Sequence, residues 1–526
     1  MVTIPSSAQL IDLFNEVQNK LSSRQEVRTG VISAAAIITS YVLYKQFFAK
    51  SKDNCPSVPY SVPVLGSTKE YIDNPQAFVE KWTAELGEVY RIHLFGEMST
   101  IVSGRYVREI LLNPSFDFIT SVTKRFDMNA LARIPAHVIT GDASRKVVVN
   151  KLTPNLKRYT KRAVENLIVG LEDIVGDLKE PMELPDIYML VQRMVARASA
   201  SVFVGEELCK DSDLIDIFQN LTTDIGSLLR PKIPIMMFFP RLMGLQMRIL
   251  GKFSPEVQKY RQNMIKGMSP EIQRRLDGAN DPNFERPDDI LQDILEDNPA
   301  EPGTSVAEHC VNWMFSLIFA SVHTTSENAT VVIYRLLEHP KLMEELLEEQ
   351  NEVLRRHGVE AGKGSEAFSF NIIKEFVKLD SVCREALRLK NQYFELPHTN
   401  ISGKNVVLSN GVVIPPDQDV YINYWYNHRD SSYKGATADV ELTEFKPYRF
   451  VDTGRPSTKV SDDFLLFGEG KHACPGRWFA IQEIKTIISL LLRDYSLRPA
   501  EKIKFPDSIM TGTPSGKVTI EKKERK

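Results

Sequence analysis

One segment near the carboxyl end combines residue types that could hold a metal centre. It reads Phe467-Gly-Glu-Gly470-Lys-His472-Ala-Cys474-Pro-Gly476 and is followed by helix-forming residues. A cysteine at the mouth of a helix lies where backbone N–H groups and the helix dipole stabilise a thiolate. The glycines permit positive φ and a close approach of the backbone to a flat ligand. The spacing therefore predicts that Cys474 acts as an anionic ligand.

Two other interpretations of this segment stay open on the residues alone. A Cys/His pair could bind zinc, but a structural zinc site needs four ligands, and no second closely spaced pair follows in the sequence. Cys474 could also be a lone buried thiol. The chain has 5 cysteines in 526 residues, an odd number and widely scattered, which is typical of a reducing compartment and not of a disulfide framework.

The segment fills every fixed position of Phe-x-x-Gly-x-[His/Arg]-x-Cys-x-Gly, so the chain resembles the cytochrome P-450 superfamily of haem-thiolate monooxygenases over residues 55–520. The resemblance implies a mainly α fold with small β-sheets and haem b (iron protoporphyrin) as cofactor, with Cys474 as the axial metal ligand. Many relatives contact a haem propionate through Trp-x-x-x-Arg, for which this chain offers Arg145, Lys146 or His398. The remaining cofactor-binding residues that it implies are Phe467, Gly470, His472 and Gly476.

Two further motifs are predicted to brace the cysteine segment. Glu385 and Arg388 stand three residues apart, share one helix face and can pair. Such a pair alone is most often exposed and adds little stability. The segment 445–450 resembles the family element Phe-x-Pro-x-Arg-Phe, whose arginine, here Arg449, joins the pair. The resemblance implies a buried cluster with a structural role.

A fourth motif, Ala320-Ser321-Val-His323-Thr324-Thr325, resembles the family pattern [Ala/Gly]-Gly-x-[Asp/Glu]-Thr-[Thr/Ser]. The resemblance implies that Thr324 lies over the iron and steers protons to oxygen, since a hydroxyl both donates and accepts hydrogen bonds. Ser321 replaces the glycine and His323 replaces the acid. His323 is predicted either as a proton shuttle or as a hydrogen-bonded core histidine.

The elements that must position these residues are mostly helical. Helical periodicity dominates 155–350, and Ser305 followed by Glu308 forms a capping box before an apolar run over 306–337. Another helix is expected from Pro340, and a last one after the cysteine segment. No internal repeat or interdomain linker is evident, so we expect one large helical domain.

The amino-terminal region predicts a membrane anchor. Residues 1–28 have amphipathic spacing, and 29–49 form a span of 21 residues if Lys45 extends its amine to the interface. A cleaved signal peptide or a buried helix is the alternative. A proline-rich hinge over 50–69 would connect the span to a monooxygenase domain over 70–526. Lysine and arginine flank both ends of the span, so charge does not fix its orientation. We expect a single-pass protein of the endoplasmic reticulum membrane with a cytosolic catalytic domain.

Charge patterning predicts the partners. Lys plus Arg is 65 and Asp plus Glu is 68, a net charge of −3 that gives no attraction to nucleic acid. A chain of this length has no room for flavin domains, so the resemblance implies a separate NADPH–cytochrome reductase. A local basic cluster is predicted to attract it, although a solvated helix face is the alternative. The cluster comprises Arg145, Lys146, Lys151, Lys157, Arg158, Lys471 and Arg477.

Three segments predict the substrate class. Residues 231–240 are apolar and broken by prolines, which suits a lipophilic ligand or, equally, plain core packing. The segments 195–209 and 287–292 are similar to ent-kaurene oxidases and fungal steroid hydroxylases. The resemblance implies hydroxylation of a lipophilic polycyclic steroid or terpenoid. The alternatives are a reductase-independent peroxygenase or rearranging haem-thiolate enzyme, and then a non-catalytic haem-binding module.

Overall fold

The structure is a computed structural model that describes residues 55–60, 62, 65–134, 139, 141–228, 238–360, 364–430, 442–507 and 513–524. The expected amphipathic segment and membrane span lie outside these residues and stay predictions. Within the described part of the chain, no helix combines the length and the apolar character that a membrane crossing requires. The expected fold class, mostly helices with small sheets, is confirmed.

The elements are numbered in chain order. The helices are α1 (Thr68–Asp73), α2 (Pro75–Leu86), α3 (Val107–Leu111), α4 (Phe118–Arg125), α5 (Met128–Ala132), α6 (Gly141–Val147), α7 (Leu156–Val175), α8 (Ile187–Phe203), α9 (Gly205–Leu208), α10 (Ser212–Leu228), α11 (Pro240–Phe253), α12 (Pro255–Gly278), α13 (Ile290–Asp297), α14 (Val306–Leu337), α15 (Pro340–Arg356), α16 (Phe370–Lys374), α17 (Val377–Arg388), α18 (Tyr424–Arg429) and α19 (Arg477–Asp494). The strands are β1 (Val89–Leu94), β2 (Glu97–Val102), β3 (Phe116–Asp117), β4 (Met182–Leu184), β5 (Phe394–Asn400), β6 (Val406–Val407), β7 (Val413–Ile414), β8 (Asp419–Asn423), β9 (Tyr495–Pro499) and β10 (Val518–Lys522).

Helix α14 is the central element of the core. It begins where the capping box predicts, because the Ser305 hydroxyl accepts the backbone N–H of Glu308 at 3.2 Å. It packs against α8, α10, α12, α17 and α19. Its apolar residues lie all round the helix, as burial on every side requires. In the middle of the helix, two residues are not buried: Ala320 and Thr324, one turn apart, are exposed.

A five-stranded sheet in the order β1-β2-β8-β5-β3 flanks the helical core. β2 and β8 are parallel, and the other neighbours are antiparallel. The pairing of β5 with β8 is irregular between Glu395 and His398, where a bulge interrupts the register. Inside the bulge Leu396 has φ of 43°. This irregularity redirects the side chains of β5 beside the cysteine segment.

The packed domain begins before residue 70. Ser57 bridges to Arg91 of β1, and the backbone N–H of Val58 bonds to the Arg91 carbonyl at 2.9 Å. The Val58 side chain is buried. Part of the predicted hinge over 50–69 is therefore held against the sheet, because its apolar side chains find a place in the core.

Candidate active site

The cysteine segment forms a loop that ends on the amino terminus of α19. The backbone N–H of Cys474 bonds to the carbonyl of Phe467 at 2.8 Å, which closes the loop. Gly476 is the amino-terminal cap residue of α19, so Cys474 stands at the mouth of the helix as predicted. Burial raises the pKa of the Cys474 thiol, while the N–H groups of Gly476 and Arg477 and the nearby guanidinium groups act to lower it. The loop thus offers N–H groups to an anionic sulfur.

Packing of the loop explains glycine at position 470 but not at position 476. Gly470 has φ of 69°, and a Cβ there would lie 2.5 Å from the Leu111 carbonyl oxygen of α3. Glycine is needed at this position because the loop packs on α3, which sequence alone did not indicate. Gly476 has φ of −83°, and a Cβ there would meet nothing within 4 Å. Neighbouring protein atoms therefore do not require glycine at 476. Phe467, 7% exposed, packs into the core.

Two arginines fix the loop through its carbonyl groups. Arg145 of α6 donates to the carbonyl of Ala473 at 2.9 Å, and Arg477 donates to that of Cys474 at 2.7 Å. α6 also reaches the central helix, since the hydroxyls of Ser144 and Ser316 lie 3.1 Å apart. Arg145 is therefore engaged with the loop carbonyl, and α6 connects the loop to α14.

The accessible face of α14 carries Thr324. Ser316, Ala320 and Thr324 follow at intervals of four residues, so they share one face of the helix. The Ser316 end of this face is the part that α6 connects to the cysteine loop. The Thr324 hydroxyl donates to the Ala320 carbonyl at 2.9 Å. Its oxygen lone pairs stay available to accept a proton donor on the accessible face.

Two histidines form a pair beside the loop. Their rings, His398 of β5 and His472 of the loop, have centroids 5.6 Å apart. The Nδ1 of His398 lies 2.7 Å from the Leu396 carbonyl oxygen, which can only accept, so Nδ1 carries the proton. The Nε2 of His398 is buried and has no hydrogen-bond partner among the residues the structure covers. Burial lowers the pKa of His398 to about 4.

The site fits an anionic flat cofactor such as haem. A haem carboxylate beside His398 Nε2 would give this atom a partner and favour the protonated ring. His472 has its Nε2 3.2 Å from an Asp117 carboxylate oxygen, and burial lowers its pKa despite that charge. The alternative of a structural zinc site finds no support, because the described residues contain no group of three His, Cys, Asp or Glu side chains placed to hold a metal ion.

His323 lies in contact with a neighbouring helix. Its Nδ1 is 2.6 Å from the Tyr188 hydroxyl of α8, which also accepts from the Gln192 amide at 3.3 Å. Burial lowers the pKa of His323, so the ring is neutral near pH 7. The structure thus gives His323 a hydrogen-bond partner on the side of α8, and Tyr188 is a contact that the sequence did not reveal.

The predicted bracing cluster is assembled. Glu385 is fully buried, and its two carboxylate oxygens accept from Arg388 at 2.8 and 2.9 Å. Arg449 donates to the same carboxylate at 2.9 Å, as does the backbone N–H of Lys446 at 3.0 Å. The cluster therefore joins α17 to the segment over 445–450 that precedes the cysteine loop.

A second internal cluster of charges was missed by the sequence analysis. The Lys390 amine lies 3.0 Å from a Glu327 carboxylate oxygen of α14, and Lys390 is 8% exposed. Glu395 of β5 lies near both groups, since each affects its pKa. The sequence signal was an acid four residues after His323, in the middle of a largely apolar helix.

The predicted basic cluster is partly neutralised. Lys151 pairs with Asp297, and Arg158 pairs with Asp288 at 2.8 Å. These acids come from the region around α13, whose packing on the early helices could not be inferred. The members that stay exposed and have no acidic partner among the described residues are Lys146, Lys157 and Lys471.

The segments that predicted the substrate class have mostly structural positions. Residues 231–237 lie outside the described residues. The segment 195–209 covers the end of α8 and α9, and Val195 is fully buried in the core. In 287–292, Asp289 caps α13 and bonds to Arg275 at 2.7 Å. The described parts of these segments support the fold.

Comparison with known proteins agrees with this geometry. The family model described as Cytochrome P450 matches residues 56–523. The chain is similar to the cytochrome P450 monooxygenase olcJ of Penicillium canescens (26% identical, 80% of this chain and 79% of that protein). It is also similar to monooxygenase 103 of Postia placenta (26%, 84% and 87%) and to hepE of Aspergillus oryzae (28%, 77% and 72%).

A solved structure shows the same fold. The retinoic acid-bound cyanobacterial CYP120A1 superposes with a TM-score of 0.63 at 19% identity, over 90% of this chain and 100% of that one. The family match covers most of the chain, and it agrees with a cysteine loop that α6 connects to the accessible face of α14. The chain belongs to the cytochrome P450 family, and it is a monooxygenase whose cofactor is a haem bound through a cysteine thiolate.

Proposed function

We propose that this cytochrome P450 hydroxylates a lipophilic polycyclic substrate, a steroid or a terpenoid, with electrons that come from NADPH through a separate reductase. The single observation that carries the proposal is the accessible Ala320–Thr324 face of an otherwise buried helix, connected by α6 to the Cys474 loop. A polar hydroxyl on an apolar helix suits the positioning of a proton beside an apolar substrate.

Three residues would hold the cofactor, namely Cys474, His398 and His472. Cys474 supplies the thiolate, and the N–H groups at the start of α19 support its negative charge. His398 and His472 would supply ring nitrogens for the haem carboxylates. Bound haem would supply the redox chemistry that activates dioxygen, and the Cys474 thiolate would contribute electron density to it. The role of the protein is then to orient the substrate and to deliver protons.

Thr324 is the proton-positioning residue in this proposal. Its hydroxyl donates a hydrogen bond to the Ala320 carbonyl at 2.9 Å, so the oxygen can accept a hydrogen bond on the accessible face. His323 is next to it in the chain and is neutral, so it can take a proton at one nitrogen and give one from the other. The bond from His323 to Tyr188 at 2.6 Å fixes the ring for such a relay.

The substrate class rests on the similarity of residues 195–209 and 287–292 to ent-kaurene oxidases and fungal steroid hydroxylases. The test is to express the full chain with a cytochrome reductase and to analyse products from a panel of steroids and diterpenes with NADPH and ¹⁸O₂. We expect one labelled oxygen atom in a hydroxylated product. Turnover with peroxide and without NADPH would favour the peroxygenase alternative, and conversion without oxygen incorporation would favour a rearrangement.

The reductase is proposed to bind near the exposed lysines of the basic cluster. Lys146 and Lys157 are exposed on α6 and α7. Changing both to Glu should raise the reductase concentration needed for half-maximal turnover several-fold at low salt, because complementary charge governs association. Lys69→Glu on α1 serves as the surface control. An unchanged concentration dependence would contradict this docking site.

The membrane location is proposed from residues 29–49. Their apolar length suits one span, and the reductase-coupled chemistry suits the endoplasmic reticulum with the catalytic domain in the cytosol. Fractionation of the full chain after an alkaline wash should leave it in the membrane pellet, and deletion of residues 1–54 should weaken this association. Release of the full chain by the wash would contradict the span.

A further inference from the structure

Glu395 is an internal carboxylate whose hydrogen-bonding capacity is not used. Among the described residues, no side chain or backbone N–H donates to it. The nearby amine of Lys390 is already engaged, at 3.0 Å from Glu327 and 3.3 Å from the Asn328 amide oxygen. Burial raises the pKa of Glu395 to about 7, with Lys390 acting to lower it and Glu327 to raise it. Such a group is costly to bury unless it serves a ligand.

The pleat of β5 directs Glu395 away from the sheet core. Its neighbour Phe394 stacks on Tyr71 of α1 with ring centroids 5.1 Å apart. Successive side chains of a strand point to opposite faces, so Glu395 lies on the other face, on the side of Lys390 and α14. Although Glu395 is deep in the fold, its side chain is partly accessible. Glu395 therefore keeps some surface that a ligand can reach.

The segment that carries Glu395 touches both halves of the active site. At one end of the segment, Lys390 contacts α14 through Glu327, which is three residues after Thr324 and so near the same helix face. At the other end, Leu396 approaches the cysteine loop, where a Cβ on Gly468 would be 3.5 Å from its side chain. Glu395 stands between these contacts.

We propose that Glu395 is a specificity-determining residue that accepts a hydrogen bond from a hydroxyl group of the substrate. The inference rests on the proposed function, in which the Thr324 face receives a lipophilic ligand. A substrate hydroxyl donates the hydrogen bond that the Glu395 carboxylate lacks, and it lowers the lipophilicity of the substrate only slightly. An anionic ligand would be repelled, because the charge of Lys390 is already balanced by Glu327. A ketone or ether cannot donate.

Burial raises the pKa of Glu395 to about 7, so its protonation changes between pH 6 and 8. The titratable groups within electrostatic range of it, on either face of the sheet, are Lys390, Glu327 of α14, Tyr71 of α1, Tyr421 of β8 and Tyr424 of α18. Burial raises the pKa of all three tyrosines, so they stay neutral. Burial lowers the pKa of His323, one turn before Glu327, so it stays neutral as well. A pH dependence of ligand preference between pH 6 and 8 therefore reports Glu395.

The test measures ligand binding to the holoenzyme, without turnover. Arylimidazoles coordinate haem iron and shift its absorption, so hydroxyl and hydroxymethyl derivatives are titrated beside their methyl ethers. At pH 8 we expect at least one hydroxyl isomer to be preferred about tenfold to one hundredfold over its ether, as for a charge-assisted hydrogen bond. Glu395→Leu should abolish the preference. Glu395→Gln should keep a few-fold preference that no longer changes with pH.

The controls separate this inference from the proposed function. Glu375→Leu, an exposed acid beside His357, removes the same charge elsewhere and should leave the preference unchanged. In the wild-type protein the preference should shrink as the pH falls from 8 to 6, because protonated Glu395 accepts weakly. A preference that survives Glu395→Leu, or a stronger preference for an aminomethyl derivative, would overturn the hydroxyl assignment. If the preference is lost in Glu395→Leu while the steroid and diterpene panel gives no product, only the proposed substrate class fails.

Discussion

The two buried charge clusters of this protein are built differently. In the first, the Glu385 carboxylate accepts four hydrogen bonds, from Arg388, Arg449 and the backbone of Lys446. In the second, Glu395 accepts none from the described residues, and the one nearby cation is held by Glu327. A satisfied buried charge holds elements together, whereas an unsatisfied one is available to a ligand. Similar residue types thus serve structure in one place and recognition in the other.

The largest effect is expected at Glu385. Glu385→Ala leaves two buried guanidinium groups without their acid, which costs about 3–5 kcal/mol of unfolding free energy. We expect the variant to yield little or no haem-loaded protein. Glu385→Gln should be milder, since the amide oxygen still accepts. The haem content of the purified protein checks this. A normal haem content in Glu385→Ala would contradict the structural role of the Glu385 cluster.

The opposite effect on stability is expected at Glu395, where the ionised carboxylate destabilises the folded protein. Its pKa, about 7 in the folded protein against 4.5 ordinarily, means that folding favours the protonated form. The stability that it contributes is fully present below pH 4.5 and is lost as the pH rises through 7. Compared with Glu395→Gln, wild type should therefore lose at most about 3 kcal/mol between pH 4.5 and 8, at about 1.4 kcal/mol per pKa unit. Urea unfolding of both proteins at several pH values measures this, and a constant difference would contradict it.

A smaller effect is expected at Thr324, on the coupling of NADPH consumption to product formation. Thr324→Ala removes the hydroxyl of the accessible face but no buried partner, so haem content should stay normal. Product formed per NADPH should fall about tenfold, with a matching rise in peroxide, because general acid catalysis contributes at least this much. Thr324→Ser should restore coupling, and Thr325→Ala, at a buried neighbour, is the position control. Unchanged coupling in Thr324→Ala would end the proposed role.

The smallest effect is expected at Tyr188. Tyr188→Phe removes one hydrogen bond to His323, worth about 0.5–1.5 kcal/mol, so kcat should fall about two- to tenfold with an altered pH profile. Tyr90→Phe is the matched control, since that buried hydroxyl lies 3.3 Å from the Thr83 hydroxyl of α2 and, in the described part of the chain, has no bond to α8. If both variants change only the stability, His323 is a structural core residue.

The sequence predicted the first cluster and missed the second for a physical reason. Glu385 and Arg388 lie on one helix turn, so local rules predict the pair, while its burial with Arg449 was implied only by the family resemblance. The start of α14 follows from the Ser305 cap. The position of Glu395 depends on a bulge that changes the register of β5, and no local pattern encodes it. The same limit applies to the basic cluster, because the acids that neutralise Lys151 and Arg158 come from the distant α13 region.

The central claim is that Cys474 supplies the thiolate to the haem. The most direct measurement is the absorption spectrum of the reduced carbon monoxide complex of the full chain and of Cys474→Ala, with Cys383→Ala as the control for a buried cysteine elsewhere. Wild type and Cys383→Ala should absorb at the position characteristic of thiolate ligation, and Cys474→Ala should lose that band. A thiolate band that persists without Cys474 would contradict the account.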